Sequence, residues 1–140
     1  MMKPADPMHH TSAAQDTHAP PYGWATLAGL AVFALYALTL APTTAFWDTS
    51  EYIATGHIMG IPHPPGNPLF VVLARAWDLL LAPTGLSVAV RINLFSAFMS
   101  ATAHVFWFLV VHHVLRFFSD QRAFRLAGAG VAVLVSASAF

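Results

Sequence analysis

The sequence predicts an all-α protein that lies in a membrane. Hydrophobic residues make up 57% of the 140-residue chain and charged residues only 9%, whereas soluble proteins carry about 25% charged residues. Long uncharged runs, of a length that suits membrane-spanning helices, are separated by one polar stretch. Six basic and six acidic side chains cancel, so nucleic acid is not an expected partner. The absence of cysteine excludes disulfides, thiolate metal ligands and cysteine nucleophiles.

The first part of the chain is predicted to be a tail followed by a spanning helix. Residues 1–22 are rich in Pro, His, Asp, Ser and Thr and show no apolar period, which indicates a disordered tail. Residues 23–41 carry no charge and would form about 28 Å of helix, enough to cross a bilayer core of about 30 Å. A signal peptide is the alternative, but its apolar region would be only about 7 to 15 residues long. We therefore expect an uncleaved first span.

A long loop follows, residues 42–93, and it contains a second helical pattern. Residues 68–81 begin at a proline and would make a helix of about 21 Å, which is too short to span the bilayer. Arg75 and Asp78 lie three residues apart and give this helix one polar face. The pattern predicts a helix that lies along the membrane interface.

Two further apolar segments follow this loop. Residues 94–115 carry no formal charge and form the predicted second span, with Arg91 and Asn93 at its entrance. Residues 126–140 form a third apolar segment that stops in mid-membrane, so we expect residues 23–140 to be the N-terminal part of a longer multi-pass domain. The basic residues near the membrane fall into two groups, Lys3, Arg116, Arg122 and Arg125 on one side and Arg75 and Arg91 on the other. The positive-inside rule then places the tail in the cytoplasm and the loop on the outer face.

The polar stretch FWDTSEYIATGHIMGIPHPPGNP, residues 46–68, gathers most of the candidate functional groups. Asp48 followed by Glu51 is a capping-box pattern at a helix start, and Trp47 with Tyr52 could form a hydrophobic staple. A structural role therefore explains both acids. The same geometry would hold two carboxylates rigidly beside the N–H groups of a helix N-terminus, so a catalytic role is the alternative.

The segment HPPGNP, residues 63–68, predicts a stiff loop. Pro64 and Pro65 fix φ, and Gly66 permits backbone geometry that other residues avoid. Rigid backbone that holds the imidazole of His63 at a membrane surface favours a functional role. The simpler interpretation is a tight turn between two interfacial helices.

The same stretch raises the question of a metal. Asp48, Glu51, His57 and His63 could together supply ligands to a divalent cation. We favour a site without a metal or other cofactor, and keep the divalent cation as the alternative.

Three motifs, in order, resemble those of a known membrane protein family. DTSEY, residues 48–52, is similar to the family's acidic pair after its first helix. GIPHPPGNPLF, residues 60–70, resembles its His-Pro-Pro-Gly-x-Pro signature, and RINLFSA, residues 91–97, resembles the Arg-x-Asn segment that opens its next spanning helix. These multi-pass proteins, long catalogued as a domain of unknown function, are related to protein O-mannosyltransferase in the GT-C glycosyltransferase superfamily. The resemblance covers residues 42–101 and implies a GT-C fold, with two juxtamembrane helices in the first outer loop and many further spans.

The resemblance also implies an activity: a sugar is transferred from a polyprenyl-phosphate donor to a protein or glycan acceptor. We expect this on the outer face of a bacterial inner membrane. Asp48 would act as general base, Glu51 would orient it or the acceptor, and His63 would contact the acceptor or the leaving phosphate. Arg91 could neutralise that phosphate or only snorkel to the interface. The remaining donor or acceptor contacts are assigned to Tyr52, His57, Pro64, Pro65, Gly66 and Asn93.

A transporter or a structural membrane subunit is the alternative function. Transport requires polar residues that line several spans, whereas the first predicted span is uncharged and the candidate residues cluster outside the bilayer. The pattern therefore favours an enzyme that works at the membrane surface. Three spans could hardly enclose both a polyprenyl chain and an acceptor, so we expect this segment alone to be inactive.

Overall fold

The computed structural model describes residues 19–44 and 47–138, and every regular element within these ranges is helical. The predicted tail lies almost entirely outside the described residues. The α-helices are α1 (Tyr22–Leu38), α2 (Thr49–Ile58), α3 (Pro68–Leu81), α4 (Val88–Val114) and α5 (Arg122–Ser138), and short 3₁₀ turns follow α3 at Ala82–Thr84 and α4 at Leu115–Phe117. The prediction of an all-α protein is confirmed for this part of the chain.

Helix α1 is shorter than the predicted first span. It contains 17 residues, which corresponds to about 26 Å. It ends at Leu38, with the backbone N–H and the hydroxyl of Thr39 both donating to the carbonyl of Leu35. Pro42 follows shortly after, and a proline disfavours helical geometry in the residue before it.

Helix α4, with its 3₁₀ extension, is long and apolar enough to cross a membrane. It runs without a break over Val88–Phe117, 30 residues, and only 22% of its most apolar 18-residue window is buried. Among the described residues it is the one helix that passes this test. It begins before the predicted residue 94 because Ser87 caps it: the Ser87 hydroxyl accepts from the N–H of Val90. Arg91 therefore lies inside the helix rather than at its entrance.

Two compact units divide the chain. Leu30–Ala103 forms one, and Met1–Gly29 with His104–Phe140 forms the other. In the second unit, helix α5 starts at Arg122, ahead of the predicted residue 126. Its buried stripe has four-residue spacing and consists of Arg125, Ala129, Val133 and Ala137.

The unit Leu30–Ala103 is built around the contact of α2 with α3 and the first turns of α4. Its buried core consists of Ile53, Ala74, Ile92 and Phe95. Gly56 permits this packing, because a Cβ there would lie 3.1 Å from the Cβ of Ala74 and 3.3 Å from Cδ1 of Ile92. A larger side chain would force the helices apart.

Helix α3 begins and ends where the sequence predicts, but Asp78 lies on its buried face rather than on an exposed polar face. Val71, Ala74 and Asp78 are its buried residues, and they lie on one face because their spacing of three and four residues matches the helix period. The prediction that Arg75 and Asp78 share a polar face is therefore wrong for Asp78, whose carboxylate is buried. Its burial requires partners, which the site below supplies.

Candidate functional site

The start of α2 presents two acids, but not as a capping box. Asp48 directly precedes the helix and makes no side-chain cap hydrogen bond. Glu51 does not return to Asp48; its carboxylate reaches His63 instead. Trp47 is 94% exposed, so the predicted staple with Tyr52 does not form. The helix start is confirmed, whereas the predicted capping contacts are wrong.

Glu51 and His63 form a two-point contact across the loop. The Glu51 Oε1 atom accepts from the backbone N–H of His63 at 2.6 Å, and Oε2 lies 2.7 Å from its Nδ1. The hydrogen bonds from His63 lower the pKa of Glu51, and the hydrogen bond to Glu51, with the charges of Glu51 and Asp48, raises the pKa of His63. Both shifts favour the charged forms of the pair, a carboxylate on Glu51 and an imidazolium on His63.

Asp48 lies next to this pair but is not hydrogen-bonded to it. Its Oδ2 lies 3.8 Å from Nε2 of His63, beyond hydrogen-bond distance, and its side chain is half-exposed. Ligand atoms of Asp48, Glu51 and His63 lie within 4.8 Å of one another. Within the described residues, Asp48 thus offers a carboxylate that makes no hydrogen bond and lies beside a positive charge. That is the state a general base requires.

The three residues are also those that would hold a divalent cation if one bound. Both carboxylate oxygens of Glu51 already accept from His63, so a cation would share these oxygens with His63 or bind through Asp48 and Nε2 of His63. Without a cation, Glu51 and His63 form a hydrogen-bonded pair, and Asp48 lies beside it without a hydrogen bond.

The segment HPPGNP closes the loop onto α2. The Gly66 N–H donates to the His63 carbonyl at 3.0 Å, and Gly66 adopts φ +93°, a conformation that favours glycine. The Asn67 amide donates to the Tyr52 hydroxyl, and the Tyr52 and His63 rings meet edge to face at 6.0 Å. The loop is a tight turn, as the simpler interpretation predicted, and it also fixes the imidazole. Pro64 contributes to this turn, while Pro65 and Gly66 line a separate depression on its other side.

A cleft of about 750 Å³ opens beside Asp48. Its lining includes Trp47, Asp48, Tyr52, Asn67, Phe70 and Asn93. The Asn93 amide donates to the carbonyls of Ala41 and Thr43, at 3.0 and 3.2 Å. Asn93 therefore holds the chain segment that leads to Trp47 and Asp48.

A second polar cluster surrounds the buried Asp78. Its Oδ2 lies 2.8 Å from Nδ1 of His57 and 2.8 Å from a terminal nitrogen of Arg75. Its Oδ1 forms a 2.8 Å ion pair with Nε of Arg91, whose N–H is not aligned for a hydrogen bond. Burial raises the pKa of Asp78, but the His57 hydrogen bond and the charges of Arg91 and Arg75 outweigh it, so the pKa is lowered overall.

This second cluster separates two predicted site residues from the cleft. His57 and Arg91 were assigned to donor or acceptor contacts, yet both side chains turn to Asp78, and neither lines the cleft. Sequence reasoning missed Asp78 as a partner. A signal was present: Asp78 lies seven residues after Val71 and four after Ala74, on the apolar stripe of α3.

Comparisons with known proteins find relatives of the part of the chain that contains this site. The family model of the protein O-mannosyl-transferase TMEM260 N-terminal domain matches residues 48–140, which is more than half of the chain. Protein O-mannosyl-transferase TMEM260 of Mus musculus is 35% identical over 109 residues, 78% of this chain and 14% of that relative. Protein O-mannosyl-transferase tmem260 of Dictyostelium discoideum is 33% identical over 78 residues, 56% of this chain and 10% of that relative. The chain thus spans only a small part of the curated relatives it matches. No solved structure matches it.

Proposed function

Because the chain belongs to the family of the protein O-mannosyl-transferase TMEM260 N-terminal domain, we propose that it supplies the catalytic base of a membrane glycosyltransferase. The observation that carries the proposal is the carboxylate of Asp48, which makes no hydrogen bond, lies 3.8 Å from Nε2 of His63 and lines a cleft of about 750 Å³. A positioned carboxylate next to a substrate-sized cleft is suited to proton abstraction.

The proposed reaction is transfer of a sugar from a polyprenyl-phosphate donor to a hydroxyl of a protein or glycan acceptor. The acceptor oxygen attacks the anomeric carbon and gives its proton to Asp48, while the bond from that carbon to the phosphate oxygen breaks. The electron pair leaves with the lipid phosphate, and negative charge develops there. His63 provides the nearby positive charge, and its raised pKa favours the charged form. Glu51 acts as a positioning residue for His63, because both of its carboxylate oxygens are hydrogen-bonded to that residue.

The proposed setting is a membrane surface. The 30-residue element Val88–Phe117 would cross the bilayer, and the arginines at 116, 122 and 125 would mark the cytoplasmic side. The cluster of Asp48, Glu51 and His63 would then face outward, as the first outer loop of a GT-C-like arrangement. A bacterial inner membrane is the proposed location. Exposed apolar side chains along α4 support contact with lipid, since soluble proteins rarely leave such a surface uncovered.

The test is Asp48→Asn in the complete protein, assayed for sugar transfer from a polyprenyl-phosphate sugar. Asn keeps the size of the side chain but cannot take a proton, so transfer should fall about 10²-fold or more with expression unchanged. Asp120→Asn is the matched control, because Asp120 is an exposed acid in the other unit, and it should transfer like wild type. Transfer should also persist in EDTA, since the proposed chemistry uses no metal. Wild-type transfer by Asp48→Asn would refute the base assignment.

A further inference from the structure

We propose that Trp47 is the stacking platform for a pyranose ring in the cleft beside Asp48. The inference rests on the proposed function, because it names the group that would hold the sugar for the base. Trp47 has an unusual conformation: its backbone adopts φ +54° and its side chain is 94% exposed. A bulky residue at positive φ is strained, and such strain concentrates at functional sites.

Folding gives no reason for this placement. An indole usually contributes to stability through the large apolar area that it buries, and Trp47 buries almost none. The staple with Tyr52 would have provided that burial at the start of α2, but Tyr52 instead packs edge to face on Phe70 at 5.2 Å. The exposed ring is therefore available to a ligand, and it lines the cleft.

The chemistry of the cleft fits a neutral sugar. Apolar side chains line part of it, including Ile53, Phe70 and Ile92. Amide or hydroxyl groups line another part, including Asn67, Asn93 and Ser96, beside the carboxylate of Asp48. A pyranose has the same division, because its faces present C–H groups and its edge presents hydroxyls. The negative face of an indole attracts such C–H groups, and amides and hydroxyls can exchange hydrogen bonds with sugar hydroxyls.

Two other ligands fit less well. A phosphate calls for cationic groups, and among the described residues none that lines this cleft is an arginine, lysine or histidine. A lipid tail could not hydrogen-bond the side-chain carbonyl oxygens of Asn67 and Asn93 or the hydroxyl of Ser96, which also line the cleft, and this is unfavourable. The sugar therefore belongs in the cleft, with its anomeric carbon toward Asp48, and the phosphate belongs outside it, toward His63.

The cleft is also held in shape before a ligand arrives. The Asn93 amide fixes the carbonyls of Ala41 and Thr43 ahead of Trp47, and the Asn67 amide is fixed on the Tyr52 hydroxyl. Like Trp47, Asn67 has a left-handed backbone, with φ +36°. Residues with a left-handed backbone thus lie on both the α2 and the α3 side of the cleft, and hydrogen bonds fix the chain ahead of Trp47 and the side chain of Asn67.

The experiment compares Trp47→Ala and Trp47→Phe in the complete protein, with KM measured separately for donor and acceptor. Trp47→Ala should raise KM for the sugar substrate that occupies the cleft by about five- to tenfold. Trp47→Phe keeps an aromatic face and should recover most of this loss. Trp24→Ala, which removes a half-exposed indole of the other unit, should leave both KM values unchanged. The substrate whose KM rises identifies the sugar in the cleft as donor or acceptor.

Two results would overturn the inference. If Trp47→Ala leaves both KM values at wild type, the indole does not bind sugar. If Trp47→Ala instead lowers retention in the membrane with no change in KM, Trp47 is an interfacial anchor of the kind that aromatic residues commonly provide. Either result leaves the proposed function standing as long as Asp48→Asn still lowers transfer by about 10²-fold or more, so the two failures can be told apart.

Discussion

The buried carboxylate of Asp78 is expected to be the most sensitive point of the unit Leu30–Ala103. Asp78 is 1% exposed and meets three basic groups, each at 2.8 Å. Asp78→Leu fills about the same space but removes the charge that neutralises them. The perturbation therefore tests whether the ion cluster holds α2, α3 and α4 together.

The loss of stability caused by Asp78→Leu depends on how well each basic partner can be solvated once the carboxylate is gone. Removing one partner of a buried ion pair costs about 3–5 kcal/mol. The side chains of Arg75 and His57 are 29% and 41% exposed and can be resolvated, whereas that of Arg91 is 11% exposed and cannot. Because one stranded cation carries most of the penalty, we expect the free energy of unfolding to fall by about 3 kcal/mol. Arg91→Met should cost less, about 1–2 kcal/mol, because Asp78 keeps two partners.

The assay is equilibrium unfolding of the complete protein in mixed micelles, as a double-mutant cycle. Asp78→Leu with Arg91→Met removes both charges, so the double variant should be more stable than the sum of the single costs predicts, by about 1–3 kcal/mol. The pKa of Asp78 is lowered from 3.8, so its contribution is present above that value and is lost as the pH falls through the lowered pKa. The cost of Asp78→Leu should therefore be present while Asp78 is ionised and shrink as the pH falls through its lowered pKa. A cost below about 1 kcal/mol with no coupling would refute the reasoning.

Two further predictions concern the loop that contains Glu51 and His63. Because the pKa of His63 is raised from 6.5 by Glu51, its charged form is favoured until the pH rises through the raised value, so transfer should decline on that alkaline side. Glu51→Gln should move this decline to lower pH, and an unchanged profile would remove His63 from the mechanism. For topology, an impermeant thiol reagent applied to intact cells should label Ser50→Cys and miss Gln121→Cys; both sites are exposed, and this segment has no cysteine of its own. The opposite pattern would place the loop in the cytoplasm.

Local chemistry made part of the fold predictable. Pro68 fixes the start of α3, and the apolar period runs to Leu81, so both ends of that helix follow from the sequence. Asp48 and Glu51 were expected at the start of a helix, and the stiff HPPGNP turn was expected to hold His63. The structure brings these residues together because the turn is short enough to return His63 to the first turn of α2.

The errors arose where a tertiary partner overrides a local pattern. The predicted span begins at residue 94, after the charge of Arg91, whereas helix α4 begins at Val88 and includes Arg91, whose counterion Asp78 lies on another helix. Glu51 was expected to close a capping box, but two donors from His63 compete with the single N–H of Asp48 and form instead. Neither partner is close in sequence, and for that reason no local pattern indicates the contact.

Helix α2 connects the two polar clusters, and this connection explains why Asp48 can remain unbonded. A base that makes no hydrogen bond of its own must be placed by its backbone. Near the start of α2, Glu51 is bonded to the loop through His63; near its end, His57 is bonded to Asp78. Between them Gly56 allows close contact with α3 and α4. With both ends and the middle fixed, the helix can present Asp48 to the cleft at a constant position, as the proposed role of general base requires.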